Sequence, residues 1–224
     1  MTFSIVARCA KTGQFGMAVA SSSPAVAARC AYARAGIGAA ASQNVTDPRL
    51  GPAALDRLAA GLDAEAALDA VIGAAEHVEY RQLLIVDRDG NTAIHSGGKS
   101  LGIHTEHAAR DVAAAGNLLA NDTIPRAMVE AFLSSEGHLG DRLITAMRGA
   151  IAAGGEAGPV HSAGMLLVDR QDWPLAELRC DWSEDCPIEN IAAAWDVYRP
   201  QMDDYVTRAL DPSAAPSYGV PGDE

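Results

Sequence analysis

The stretch MTFSIVARCAKTGQFGMAVASSS, residues 1–23, decides the reading of this chain. Two apolar runs flank a polar, glycine-containing turn at residues 11–14, so the stretch is expected to form two strands folded back on each other. The residue behind the initiator methionine is Thr2, small enough that methionine aminopeptidase is expected to remove Met1. The mature chain would then begin with a threonine carrying a free α-amino group. Such a group titrates near ~8, so at neutral pH part of it is free amine able to take the Thr2 hydroxyl proton. Nucleophile and base would then be one residue. A Met-Thr start is common, however, and the remainder of the chain has to decide whether it matters.

At 224 residues the chain can enclose a core without metal or disulfide staples, and one domain spanning residues 1–209 is expected, followed by a loosely ordered tail at 210–224. Hydrophobic residues make up 49% of the chain but aromatic ones only 5%, so the core must be built from closely approaching backbones with small side chains between layers. The net charge of −12 speaks against a nucleic-acid or anionic-membrane partner, because affinity for phosphate comes from clustered Lys and Arg. No basic segment followed by an apolar run opens the chain, and no run is long enough to span a bilayer, which reads as a cytoplasmic protein. Cys9, Cys30, Cys180 and Cys186 lack paired metal-ligand spacing and read as reduced thiols. His95, His104 and His107 lack a carboxylate or thiol partner at ligand spacing. No metal and no cofactor is expected.

Beyond the first hairpin, residues 26–34 and 36–43 read as a second strand pair. Gln43 and Asn44 close it and lead into the turn sequence TDPRLG at 46–51. Pro52 and Asp63 start two amphipathic helices. QLLIVD (82–87) and TAIHS (92–96), joined by RDGN, give the clearest hairpin signal in the sequence. Residues 97–109 read as a glycine-containing loop, and RDVAAAGN (110–117) as a buried strand ending at Gly116-Asn117. Glycine there permits close approach of a bound group, and asparagine could donate to a developing oxyanion. Two helices, a hairpin from residue 161 to 181 and a last amphipathic helix from 187 to 206 complete the chain.

Strand pairs alternating with helix pairs imply an α+β fold, a four-layer αββα sandwich of two antiparallel sheets. This order resembles the N-terminal-nucleophile (Ntn) hydrolase fold, whose nucleophile is the first residue of the first strand. The segments MTFSIVAR, GMAVAS, GIGAAASQN, RLGPAALDRLAAG, YRQLLIVDRDGNTAIHSG, AAAGNLLA and SAGMLLVD are similar to the bacterial family catalogued as domain of unknown function 1028, placed in the Ntn superfamily. The similarity runs from about residue 2 to 198. It implies that Thr2 stands at the nucleophile position, that Gly116 and Asn117 face it, and that Ser162 lies among the supporting polar residues. Proteasome-like Ntn enzymes use a lysine on the second strand pair; this chain has only Lys11 and Lys99, so Arg29 or Arg34 would have to substitute, as a fixed charge that cannot exchange a proton.

The resulting expectation is an Ntn-type amidohydrolase acting on a small amide or acyl-amino compound, with Thr2, Asn117 and Arg34 as catalytic residues and Gln43, Asn44, Gly116 and Ser162 contacting substrate. The alternative is an Ntn-fold protein without catalysis that binds a metabolite or serves in an assembly. A small-molecule substrate and self-association are the expected partners.

Overall fold

The first hairpin forms as expected, with β1 (Thr2–Arg8) antiparallel to β2 (Phe15–Ser21), Phe3 opposite Ala20 and Arg8 opposite Phe15. In the computed structural model, which describes residues 1–222, this pair is the centre of the larger of two sheets. A helical turn α1 (Ala27–Cys30) leads to β3 (Ala31–Arg34) and β4 (Gly38–Asn44), followed by α2 (Leu50–Ala59) and α3 (Ala64–Ala74). The middle of the chain forms β5 (Arg81–Asp87), β6 (Thr92–Ser96), β7 (Thr105–Ala109) and β8 (Val112–Asn117). Then come α4 (Ile124–Ser134), α5 (Leu139–Ala152), β9 (Ser162–Val168), β10 (Ala176–Cys180), α6 (Pro187–Tyr198) and α7 (Met202–Leu210).

Among the described residues the larger sheet has the order β10-β9-β2-β1-β8-β7 and the smaller one the order β3-β4-β5-β6, with every pairing antiparallel. Side chains alternate across a strand, and the core divides accordingly. Phe3, Ile5 and Ala7 pack outward against Met128 and Phe132 of α4 and Leu143 and Met147 of α5. Val6, Met17, Val19 and Ala115 face the other sheet and meet Ala39, Ala41, Leu84 and Val86. The far face of the smaller sheet, through Ala40, Leu83 and Ile85, is covered by Leu55 and Leu58 of α2 and Leu68 and Val71 of α3. This is the expected αββα sandwich. The alanines between the sheets are what let the two backbones approach.

The β5–β6 hairpin is tied by one carboxylate. Asp87 accepts from the Asp89 and Asn91 backbone N–H groups at 2.9 Å, and its other oxygen accepts from Ala64 N at 3.0 Å, joining this turn to the start of α3. Gly90, at φ +83°, supplies the left-handed residue the turn requires.

Three elements differ from the sequence expectation. Residues 27–30 are helical and not extended: Ala25 takes φ +51° and the Arg29 guanidinium donates to the Pro24 and Ala25 carbonyls, closing a helical turn. Alanine is the best helix former, so an alanine run carries no strand signal of its own. β7 lies where a loop was expected; its sequence, TEHAA, with a glutamate, a histidine and two alanines, has little strand propensity, and it is held as an edge strand by pairing with β8. The last helix is broken at residues 199–201 into a short 3-10 turn, because Pro200 has no N–H to continue the ladder. The expected tail leaves α7 in turns, and the Arg208 guanidinium stacks 3.9 Å from the centre of the Tyr218 ring. Residues 223 and 224 of that tail lie outside the described residues. Among the described residues no helix is long and apolar enough to cross a membrane.

Because β1 is buried on both faces, its side chains set the stability of both interlayer cores. Ile5→Ala, at a fully buried position, is expected to cost about 2–5 kcal/mol, measured as a drop in the urea midpoint at constant slope.

Candidate functional site

The alternation that puts Val6 between the sheets puts Ser4 and Thr2 there too, at the end where the apolar filling stops. Thr2 pairs in register with Asn117 of β8, and Ser21, the last residue of β2, pairs with Ser162, the first of β9. On the smaller sheet Gln43 of β4 pairs with Gln82 of β5, which pairs with Ser96 of β6. Polar residues therefore collect at one end of the inter-sheet layer. Thr2 is 7% exposed, and Ser4, Ser21, Gln43, Gln82, Asn117 and Ser162 are essentially sealed.

The amides hold one another. Gln43 Nε2 donates to Gln82 Oε1 at 2.6 Å and to the Ala115 carbonyl at 3.2 Å, which stitches the two sheets together. Gln82 Nε2 donates to Ser96 Oγ at 2.9 Å and to the Gly116 carbonyl at 3.2 Å, and Asn117 Nδ2 makes a long bond to Gln82 Oε1 at 3.4 Å. Gln43 Oε1 and Ser4 Oγ are buried without a partner. On the other side, the Thr2 and Ser21 hydroxyls lie 3.3 Å apart and both donate to the Met1 carbonyl.

Behind these hydroxyls stands Glu156, from the loop between α5 and β9, a residue the sequence did not single out. Its Oε2 accepts from Ser22 N at 3.0 Å, while Oε1 is buried without a partner. Burial pushes its carboxyl up to about 7, against the pull of the nearby Met1 ammonium and the Ser22 N–H. A carboxyl titrating there can give or accept a proton near neutrality. Gln82 likewise reads in the sequence only as the start of a strand. A glutamine facing the same layer as Leu84 and Val86, and an isolated acid behind Gly154-Gly155 in an otherwise apolar loop, were the available signals.

The other residues singled out from sequence divide into groups. Asn44, at φ +69°, donates to the Tyr80 carbonyl at 2.6 Å and accepts from Leu101 N at 3.3 Å, so it pins the 97–101 loop beside the polar end. Gly116 is dictated by packing, since a Cβ there would lie 2.6 Å from Leu119 Cδ2. Ser162 donates to the Ser23 carbonyl at 2.6 Å and accepts from Val26 N at 3.2 Å, fixing the chain after β2. Arg34 does not join this group. It pairs with Gly38, at the opposite end of β4 from Gln43, and its guanidinium reaches Asp56 of α2 at 2.9 Å. The turn that follows Arg34 and leads into β4 at Gly38 fixes it at the far end of the sheet from Thr2. Arg29 is engaged by the Pro24 and Ala25 carbonyls. Lys11 is exposed in the β1–β2 turn, and Lys99 Nζ lies 4.8 Å from the centre of the Tyr80 ring. His95 Nε2 lies 3.0 Å from the Val78 carbonyl and His104 Nδ1 lies 3.1 Å from that of Gly102.

The family model described as "Family of unknown function (DUF1028)" matches residues 2–191, from the first strand into α6. The chain belongs to the DUF1028 family. A solved DUF1028 structure, protein SPO2555 from Silicibacter pomeroyi, is 30% identical over 88% of each chain and superposes with a TM-score of 0.82. The chain is also similar, at 9% identity and a TM-score of 0.40 over 91% of this chain and 97% of the other, to Anbu (ancestral beta-subunit) from Yersinia bercovieri. No curated protein matches the chain significantly. The DUF1028 match covers β1, β4, β5, β8 and β9, the strands whose ends make the polar cluster.

The Glu156 carboxyl gives this end of the molecule a pH dependence whose sign follows from its elevated titration. The folded state keeps the proton that the unfolded chain loses near 4.5, so its contribution is fully present below about 4.5 and is lost as pH rises through about 7. Glu156→Gln should flatten that loss, by about 2–3 kcal/mol between pH 4 and pH 8, in denaturation curves taken across the range.

Proposed function

We propose that this chain is an Ntn-type amidohydrolase acting on a small amide or acyl-amino compound. Thr2 Oγ1 attacks the amide carbon after Met1 is removed, the Thr2 amine takes the hydroxyl proton and passes it to the leaving nitrogen, and water hydrolyses the ester. The single observation that carries this reading is the placement of Thr2. It stands at the first position of the central strand of a two-sheet sandwich, facing the inter-sheet layer, in register with Asn117 and beside the Ser21 hydroxyl. Asn117 Nδ2 uses one N–H toward Gln82, and an amide nitrogen has two, so the second can serve a developing oxyanion. Ser21 and Ser162 support the strand ends. With Arg34 committed to Asp56, the amine acts without a fixed cation beside it.

A second reading is favoured by two specific observations. Thr2 is 7% exposed with Met1 in place, and the two lysines are placed elsewhere, Lys11 in the β1–β2 turn and Lys99 against the Tyr80 ring. Under that reading the chain keeps the sandwich and binds a metabolite, or joins an assembly, without turnover. Self-association is part of either reading: Val197, Tyr205 and Leu210 on α6 and α7 are exposed, and light scattering at micromolar concentration is expected to give more than one chain mass.

The deciding experiment pairs an intact mass spectrum with two variants. The mature protein is expected to begin at Thr2, since an acylated amine cannot be a base. Across a screen of amides, cyclic amides and short acyl-amino acids, Thr2→Ser should retain part of the turnover. Thr2→Ala should lose on the order of a thousandfold or more, with a stability change of about 1 kcal/mol from the lost hydroxyl bonds. Equal turnover by Thr2→Ala, or quantitative retention of Met1, would overturn the hydrolase reading in favour of the binding one.

A further inference from the structure

The residue that occupies the polar end in this structure is Met1, and its surroundings describe what that end accepts. Its carbonyl oxygen takes hydrogen bonds from the Thr2 and Ser21 hydroxyls. Its ammonium makes no ion pair with Glu156 within 4 Å but stands beside the same loop, where Glu156 lies two residues from Gly158, and favours the charged form of that carboxyl. Its side chain runs along the α5–β9 loop, where a Cβ added to Gly158 would sit 3.0 Å from Met1 Cε. An acyl group, a cationic α-nitrogen and an apolar side chain thus each have a separate neighbour.

Chemistry relates this position to the reaction. Met1 is an α-aminoacyl group bonded to the Thr2 nitrogen. An acyl intermediate on Thr2 Oγ1 differs only in which atom, three bonds away on the same residue, carries the acyl carbon. The space that holds Met1 is therefore close to the space that would hold the acyl half of a substrate. Glu156 supplies the second observation. Its Oε1 is buried and unpartnered, and the residue is 5% exposed; once Met1 is gone the one amine left beside it is that of Thr2, which has to be uncharged to act as the base, so the carboxylate favours a ligand that brings a cation of its own. The loop also borders a surface hollow of about 280 Å³ whose lining includes Glu184 and Asp185, so the surface beside Glu156 is acidic as well.

We infer that the cleft selects substrates whose acyl group carries a free α-amino group, that is, α-aminoacyl amides, with Glu156 as the residue that recognises the ammonium. This rests on Thr2 being the nucleophile. The step balances without a further reactant: Thr2 Oγ1 bonds to the acyl carbon, the amide C–N bond breaks, and the hydroxyl proton leaves with the amine by way of the Thr2 α-amino group. Water then cleaves the aminoacyl ester, restoring the Thr2 hydroxyl and releasing an α-amino acid. Ser21 holds the carbonyl and Gly158 leaves room for the side chain.

The test uses full-length protein shown by mass to begin at Thr2, with L-methioninamide, N-acetyl-L-methioninamide and 4-(methylthio)butanamide as probes. The free-amine amide is expected to exceed the other two in kcat/KM on the order of tenfold or more. In Glu156→Gln that ratio should fall toward one. Binding of L-methioninamide is measured separately by calorimetry on Thr2→Ala, which cannot form the ester, and should weaken by a similar factor when Glu156→Gln is added. Preference for the acetylated or des-amino amide, or equal calorimetric affinity for all three probes, overturns the inference while leaving Thr2 as nucleophile. No turnover of any probe, together with Glu156-dependent binding of L-methioninamide to Thr2→Ala, supports the recognition and removes the nucleophile reading instead.

Discussion

The fold depends on the burial of β1 on both of its faces. A strand with one wet face needs alternation of apolar and polar residues; β1 has helices on one side and a second sheet on the other, so every residue from Thr2 to Ala7 is removed from water. Its odd side chains, Phe3, Ile5 and Ala7, pack against α4 and α5, while its even ones decide how close the second sheet comes. Where the even positions turn from Val6 to Ser4 and Thr2, the space between the sheets turns from apolar to polar. The same change is made along β2, β4, β5, β8 and β9, at Ser21, Gln43, Gln82, Asn117 and Ser162.

That polar end carries an energetic cost. A buried carbonyl or hydroxyl without a partner costs ~1–3 kcal/mol, and Gln43 Oε1, Ser4 Oγ and Glu156 Oε1 are all in that state. A purely structural layer would fill these positions with alanine and valine, as the other end of the same strands does at Ala39 and Val86. Unspent hydrogen-bonding capacity gathered at one end of an otherwise dry layer marks where a ligand gains most from entering.

How far the sequence led depends on which physical signal each element carries. The β5–β6 hairpin was legible because Asp87, Gly90 and Asn91 are chosen by turn geometry alone. The sandwich was legible because strand pairs and helix pairs alternate along the chain. Residues 27–30 and β7 were not: alanine suits helix and strand alike, and an edge strand such as β7 is held by its neighbour's backbone and needs little from its own side chains. Thr2, Gln43 and Asn117 could be assigned to one end because each terminates a strand. Glu156 and Gln82 could not, since their importance lies in what the fold buries beside them, and burial across layers leaves no mark on local pattern. Arg34 does not reach the Thr2 end because it closes β3 at the turn into β4, where it stands opposite Gly38, and that turn lies at the other end of the sheet from Gln43.

The pairing of β1 with β8 and of β2 with β9 has a consequence in time. The first hairpin leaves a ribosome early, but its outer neighbours are made only after residues 112–117 and 162–168 have been synthesised, and contacts so distant along the chain form late. Until then the N-terminus is open to solvent and to any processing enzyme. Afterwards it is enclosed by the Asn117 and Glu156 segments, with Thr2 almost wholly covered. Any enzyme that trims Met1 therefore has to reach it before the sheet is complete, and the order in which the strands are synthesised sets how long that access lasts.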